Sequence, residues 1–173
     1  GGLISLAALN HIDGVVNFSD SIAISANMLD KVTYFNPLPF QTNMRDLAED
    51  FVNVWLSFDK ETYKRANERL HLSISEFPAR GKIVNEYKSN EDLKNALMTS
   101  CYVPWVLSRP QNVHGKWWSY DGSFTNDIFM LDENTVTVGI HKGFLNDKNF
   151  KFDMQPKFHL NVLTCFIPWP GHT

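Results

Sequence analysis

Lys116-Trp117-Trp118-Ser119-Tyr120-Asp121-Gly122-Ser123-Phe124-Thr125-Asn126-Asp127 sets an aromatic run directly against a polar turn. An acidic residue followed at once by glycine puts a carboxylate where the backbone turns sharply and can approach a neighbour closely. Such a position suits a catalytic acid or base. Asp-Gly between apolar runs is also the commonest short hairpin signal, so the dipeptide alone favours an ordinary turn. Its meaning depends on the residues around it.

The chain has 173 residues, 43% of them apolar and 20% charged, which suits one folded domain with a core of its own. A formal charge of −3 and 16 scattered Lys and Arg give no basic field for nucleic acid, and none is expected as a partner. No apolar run reaches the ~18 residues of a membrane-spanning helix, and the opening does not have the pattern of a signal peptide. Cys101 and Cys165 form no CxxC, so both are expected reduced and buried, with no zinc site.

Gly1-Gly2-Leu3-Ile4-Ser5-Leu6-Ala7-Ala8-Leu9 reads as the start of a buried helix. Termini ordinarily lie at the surface and fray, so further polypeptide is expected ahead of it. Asp13 to Asp30 is mixed, with Ile22, Met28 and Leu29 as candidate helix contacts, and Tyr34 to Phe40, with Pro37 and Pro39, reads as a loop. From a cap at Thr42 or Asn43, Met44 to Phe58 is helical: Leu47, Phe51, Val54, Trp55 and Phe58 recur three and four apart. Lys60, Lys64, Arg65 and Arg69, interrupted by Glu61 and Glu68, read as a solvated surface.

Leu70-His71-Leu72-Ser73-Ile74-Ser75 alternates as a strand, with His71 pointing away from the leucine face as a structural histidine. Phe77 to Gly81 turns the chain, and Lys82 to Tyr87 supplies the partner strand. Ser89-Asn90-Glu91-Asp92 has the form of a capping box, and it opens a helix from Leu93 to about Cys101, stopped by Pro104. Asn134 to Ile140 reads as a strand with Val136, Val138 and Ile140 on one side. Phe150 to Met154 and Phe158 to Leu163 read as two further short strands. Alternating helices and strands predict an α/β domain with helices on both faces of a sheet.

Four of these pieces stand in a familiar order: Asn67 to Ser75, Asn90 to Pro104, Tyr120-Asp121-Gly122-Ser123-Phe124-Thr125-Asn126-Asp127, and Asn134 to Val138. The pattern resembles the patatin-like phospholipases, and within them the neutral lipid lipases of the adipose triglyceride lipase type. The likeness spans residues 1–140 and leaves 141–173 without a counterpart. It implies a single three-layer α/β/α domain over 1–173, incomplete at its N-terminal side. It also implies no cofactor or metal, a lipid substrate or lipid surface as partner, and an intracellular place at the edge of a membrane or lipid droplet.

The family works with a serine and an aspartate. A serine hydroxyl becomes a nucleophile when a carboxylate within hydrogen-bond reach takes its proton. The resemblance assigns that aspartate to Asp121, with Gly122 as the turn after it and Ser123 where the family often has another small residue. The family serine sits in a GxSxG elbow behind a glycine-rich oxyanion loop, and this chain has no GxSxG. In the preferred reading Gly1 or Gly2 closes that elbow and Leu3 to Asn10 is the helix behind the nucleophile. The serine then comes from an N-terminal segment missing here, or from another chain that completes the sheet. The weaker alternative is a decayed elbow at Ala23-Ile24-Ser25-Ala26-Asn27 with Ser25 as nucleophile, though both glycines would be replaced where the turn is cramped.

The expected function is part of a lipid acyl hydrolase, with Asp121 supplied and the serine not. The alternative is a catalytically inactive patatin-like subunit with a structural role in a larger assembly; an unrelated α/β binding domain ranks third. His11, His114, His141, His159 and His172 have no metal-ligand spacing, and Ser5, Ser100 and Ser108 lack an elbow. Pro37 to Phe40 and Phe166 to Trp169 are candidate edges for a lipid surface.

Overall fold

In a computed structural model, which describes residues 2–33, 40–103, 111–113, 116–126, 129–139 and 152–154, helices and strands do not alternate as expected: among the described residues a run of helices comes first, then two strand pairs separated by one helix. Their order is α1 (Gly2–Ile12), α2 (Phe18–Thr33), α3 (Phe40–Ser57), α4 (Thr62–Ala66), β1 (Leu72–Glu76), β2 (Arg80–Val84), α5 (Asn90–Ser100), β3 (Gln111–Val113) and β4 (Lys116–Asp121). A 3-10 turn over Gly122–Phe124 follows. The class is mixed α and β.

The helices begin where side chains satisfy their first amide protons. Ser89 Oγ accepts the N–H of Asp92 at 3.1 Å, and the Asp92 carboxylate accepts the N–H of Lys88 at 2.9 Å, so the Ser-x-x-Asp pattern holds both ends of the entry to α5. Ser89→Ala is expected to cost about 1 kcal/mol, read as a lower urea midpoint at unchanged slope. The mixed stretch after Asp13 is helical as well: Asn17 Oδ1 accepts the N–H of Asp20 at 2.8 Å and starts α2. The Tyr34 to Pro39 part of the expected loop lies outside the described residues.

The sheet is antiparallel throughout the described strands, in the order β2-β1-β4-β3. β1 and β2 form the expected hairpin, pairing Leu72 with Val84 and Glu76 with Arg80. One core joins helices to strands: Leu6 and Leu9 of α1, Val52 and Trp55 of α3, and Leu93, Ala96 and Leu97 of α5 pack with Leu72 and Ile74. Ile74, Leu93, Leu97 and Trp55 are wholly buried. On the other face of β1, Ser75 is buried too, beneath the turn after β4, where its hydroxyl meets Thr125 Oγ1 at 2.8 Å. Strand β1 is thus covered on both sides. Helices cover one face, and the 122–126 turn covers the other.

The basic cluster is solvated at Lys60, Lys64 and Arg69 as expected, but Arg65 is half-buried and the two arginines are engaged. Arg65 reaches Asp13 Oδ2 at 2.8 Å, Asp59 Oδ2 at 2.9 Å and Asn10 Oδ1 at 2.9 Å, while Arg69 holds both oxygens of Asp13. Asn10, fully buried, donates through Nδ2 to the carbonyl of Trp55 at 3.0 Å. This network pins the end of α1 to α3, α4 and the approach to β1.

The hydrogen bond from Arg69, with a further one from Arg65, holds the Asp13 carboxyl below the usual carboxylate range against the opposing effect of burial. A depressed carboxylate stabilises the fold above its unfolded pKa, about 4, and loses that contribution as pH falls through the folded value. Urea midpoints of the wild type and Asp13→Asn should therefore differ at neutral pH and converge in acid. A constant difference would exclude the link.

Among the described residues, 134–139 are not a ladder strand. Val136 and Val138 are 61% and 69% exposed while Thr137 is buried, the reverse of the expected facing. The reason is polar: Asp153 Oδ2 accepts from Thr137 N–H at 2.8 Å and from its hydroxyl at 2.7 Å, holding that side of the chain against the 152–154 segment. Thr135 Oγ1 accepts the N–H groups of Leu131 and Asp132, turning the chain just before. Among the described residues of the expected strands at 134–140 and 150–154, Val138 and Met154 form an isolated parallel bridge. Phe152 is buried and lies across Gly139, where a Cβ would enter its ring. Ile140, Phe150, the expected Phe158 to Leu163 strand and Cys165 lie outside the described residues.

Candidate functional site

Asp121 ends β4, an interior strand. The register places it opposite Ile74, so its side chain leaves on the face that Ile74 turns to the helices, while Tyr120 shares the other face with Ser75. Three bonds fix it. Its N–H donates to the carbonyl of Tyr102 at 2.8 Å, its carbonyl accepts from Ser75 Oγ at 2.8 Å, and its Oδ1 accepts the N–H of Ser123 at 2.8 Å. The last bond makes Asp121 the cap of the 3-10 turn.

Gly122 is there for space. A Cβ at this position would strike the backbone carbonyl and hydroxyl of Ser73 in β1, which lie against it. The turn therefore seats directly on the strand, and the close approach read from Asp-Gly has a named neighbour.

The front of α1 comes to the same place. A Cβ on Gly2 would lie 2.8 Å from Leu72 Cδ2 and 2.8 Å from Ser100 Oγ, so the first turn of α1 is pressed onto β1 and the end of α5. Along the chain Cys101 falls between Ser100, which meets Gly2, and Tyr102, whose carbonyl accepts the Asp121 N–H. Burial pushes the Cys101 thiol pKa up and the Asp121 charge adds to the rise; hydrogen bonds from Ser100 and the Leu3 amide oppose it. The thiol thus responds to both the Leu3 amide of α1 and the Asp121 charge at the end of β4. As a residue, Cys101 is half-buried rather than fully buried.

The hydroxyls around this point have backbone acceptors. Ser73 donates to Asn126 O at 3.1 Å, Ser75 to Asp121 O, and Ser100 to Leu97 O at 2.8 Å. Ser25 lies well inside α2, one continuous helix, and so is not at the strand-to-helix turn that an elbow requires. Ser108 lies outside the described residues.

A second feature lies farther down α1. A cavity of about 410 Å³ is bounded by Ser5, Leu9, Arg69, His71, Phe129 and Leu131 among others, but not by Asp121. His71 is held loosely: Nε2 is 3.4 Å from Asn85 Nδ2, and its buried Nδ1 has no partner among the described residues. His11 Nδ1 meets the carbonyl of Val16 at 3.3 Å, whereas His114, His141, His159 and His172 lie outside the described residues. Among the described residues no cluster of His, Cys, Asp and Glu could hold a metal ion, and no helix is long and apolar enough to cross a membrane.

The sequence marks Asp121 and Gly122 as a sharp turn, which the structure has, but not the residues that hold them: Ser73, Ser75, Tyr102 and Ser123. Serines at alternate positions opposite the leucine face of β1 were the available signal. A buried polar face needs a polar partner, here the 122–126 turn.

Comparison with family models, with curated proteins and with solved structures found no match to this chain.

Proposed function

We propose that the chain is part of a patatin-like lipid acyl hydrolase, in which Asp121 is the proton acceptor of a Ser-Asp dyad. The observation that carries this reading is that the α1 front at Gly2 is pressed onto Ser100, two residues before Tyr102, whose carbonyl accepts the Asp121 N–H at 2.8 Å. A nucleophile placed just ahead of Gly2 would sit at the positive end of α1 and beside a rigidly held base. That serine would come from polypeptide preceding Gly1 or from another chain, which would also complete a three-layer α/β/α domain.

In the dyad, Asp121 accepts the seryl proton as the hydroxyl attacks the acyl carbonyl, and the acid so formed returns the proton to the departing alkoxide. Water then releases the acyl group by the same base. Ser123 N–H holds Oδ1 and orients the carboxylate. The test is acyl-ester hydrolysis by the polypeptide carrying that serine, wild type against Asp121→Asn; equal rates would overturn the assignment.

The backbone bonding of Ser73, Ser75 and Ser100 supports a second reading, an inactive subunit with a structural role in a larger assembly. It separates from the first by Asp121→Ala, which would then leave the activity of the assembly unchanged.

A further inference from the structure

The β1–β2 hairpin and the strand beside it carry rings that the fold leaves in water. Phe77 is 70% exposed and Trp118 is 65% exposed, with their centroids 6.1 Å apart. The N–H of Phe77 donates to the carbonyl of Trp118 at 3.1 Å, which locks the pair together. Trp118 has φ of 73°, a left-handed backbone that bulky side chains adopt only under strain. Both the hydrophobic effect and backbone preference oppose this arrangement, yet the structure keeps it.

The rings continue inward. Tyr120 Oη donates to the carbonyl of Pro78 at 3.1 Å, and its ring meets Phe124 edge-on at 5.4 Å. An aromatic strip therefore runs from the hairpin tip to the turn that follows Asp121. Arg80 is exposed on the same hairpin, opposite Glu76 in the ladder, and Glu76 faces Lys82 Nζ at 3.7 Å, leaving a net positive charge among these three. The tip is apolar with a cationic rim.

The geometry points to this tip as a lipid-surface contact, with Phe77 and Trp118 entering the headgroup boundary of a membrane and Arg80 meeting its phosphates. Size argues against a protein partner: the two rings offer roughly 300 Å², where a stable protein interface takes about 800 Å² from each side. Indole, apolar with one N–H donor, favours the boundary between lipid and water. Three residues of β4, about 10 Å, separate Trp118 from Asp121, so docking would bring the end of β4 to the lipid. The contact stands on the rings and does not depend on what Asp121 does.

The test is co-sedimentation of the chain with vesicles of equimolar phosphatidylcholine and phosphatidylglycerol, comparing the wild type with Phe77→Ser, Trp118→Gly and the double variant. Glycine accepts the left-handed backbone without strain, so Trp118→Gly should melt no lower than the wild type. Each substitution is expected to lower the partition coefficient about tenfold. Unchanged partition in the double variant would overturn the proposal. So would a dimer in light scattering that Trp118→Gly abolishes, since the rings would then serve a second copy of the chain. Asp121→Asn should bind vesicles as the wild type does, which keeps this result separate from any loss of hydrolysis.

Discussion

Asp121→Asn is expected to lower hydrolysis of a short-chain acyl ester by about a thousandfold, in the polypeptide that carries the nucleophile, with little change in melting temperature. A positioned general base contributes ~10²–10⁴ to rate, and a dyad has no second group to share the task. Stability should hold because the amide of asparagine keeps an oxygen for the Ser123 N–H, while the bonds from Asp121 N–H to Tyr102 and from Ser75 to the Asp121 carbonyl involve backbone atoms. The loss should appear in kcat with KM nearly unchanged, since the base acts on the reacting hydroxyl rather than on the acyl chain. A variant with wild-type kcat would show that the carboxylate only caps its turn.

Gly122→Ala should fail differently. The added methyl would run into the carbonyl carbon and oxygen of Ser73, backbone atoms in a strand paired on both sides, which cannot swing away as a flexible side chain could. Either the turn lifts from β1 or the strand shifts, and overpacking of this kind costs about 1–3 kcal/mol. Lifting the turn also moves Ser123, whose N–H orients Asp121, so hydrolysis should fall together with stability. Ser123→Ala keeps that N–H and should change neither by much. If Gly122→Ala melted with the wild type, the close seating of the turn on Ser73 would be wrong.

The two substitutions probe one site through different forces. Asp121→Asn removes a proton acceptor and leaves packing intact, whereas Gly122→Ala leaves the carboxylate in the chain and moves the surface it stands on. Activity lost without stability in the first, and lost with stability in the second, is the joint signature of a base held by a tightly seated turn.

Much of the fold follows from neighbours in sequence. The three-and-four spacing from Leu47 to Phe58, the Ser89 cap, the Leu70 to Glu76 alternation and the Asp-Gly turn all act within a few residues, and the structure has α3, α5, the β1–β2 hairpin and the turn after β4 where they indicate. The same local reading failed at Val136 and Val138. Their alternation was real, but Asp153 holds Thr137 from 16 residues away and the valines are exposed. It left α2 undecided, with Ile22, Met28 and Leu29 only as possible helix contacts, because the Asn17 cap that starts it was not recognised.

By itself the chain specified the elements and marked Asp121 as a carboxylate at a sharp turn, because capping, periodicity and turn chemistry are settled by residues three or four apart. Tertiary structure alone decided which way that carboxylate points, through its register opposite Ile74, and what stands before it, through the seating of α1 on Leu72 and Ser100. It also engaged Arg65 and Arg69 in the clamp on Asp13, more than 50 residues earlier. Contacts at such separations form only when the core has brought the elements together, and no local pattern encodes them.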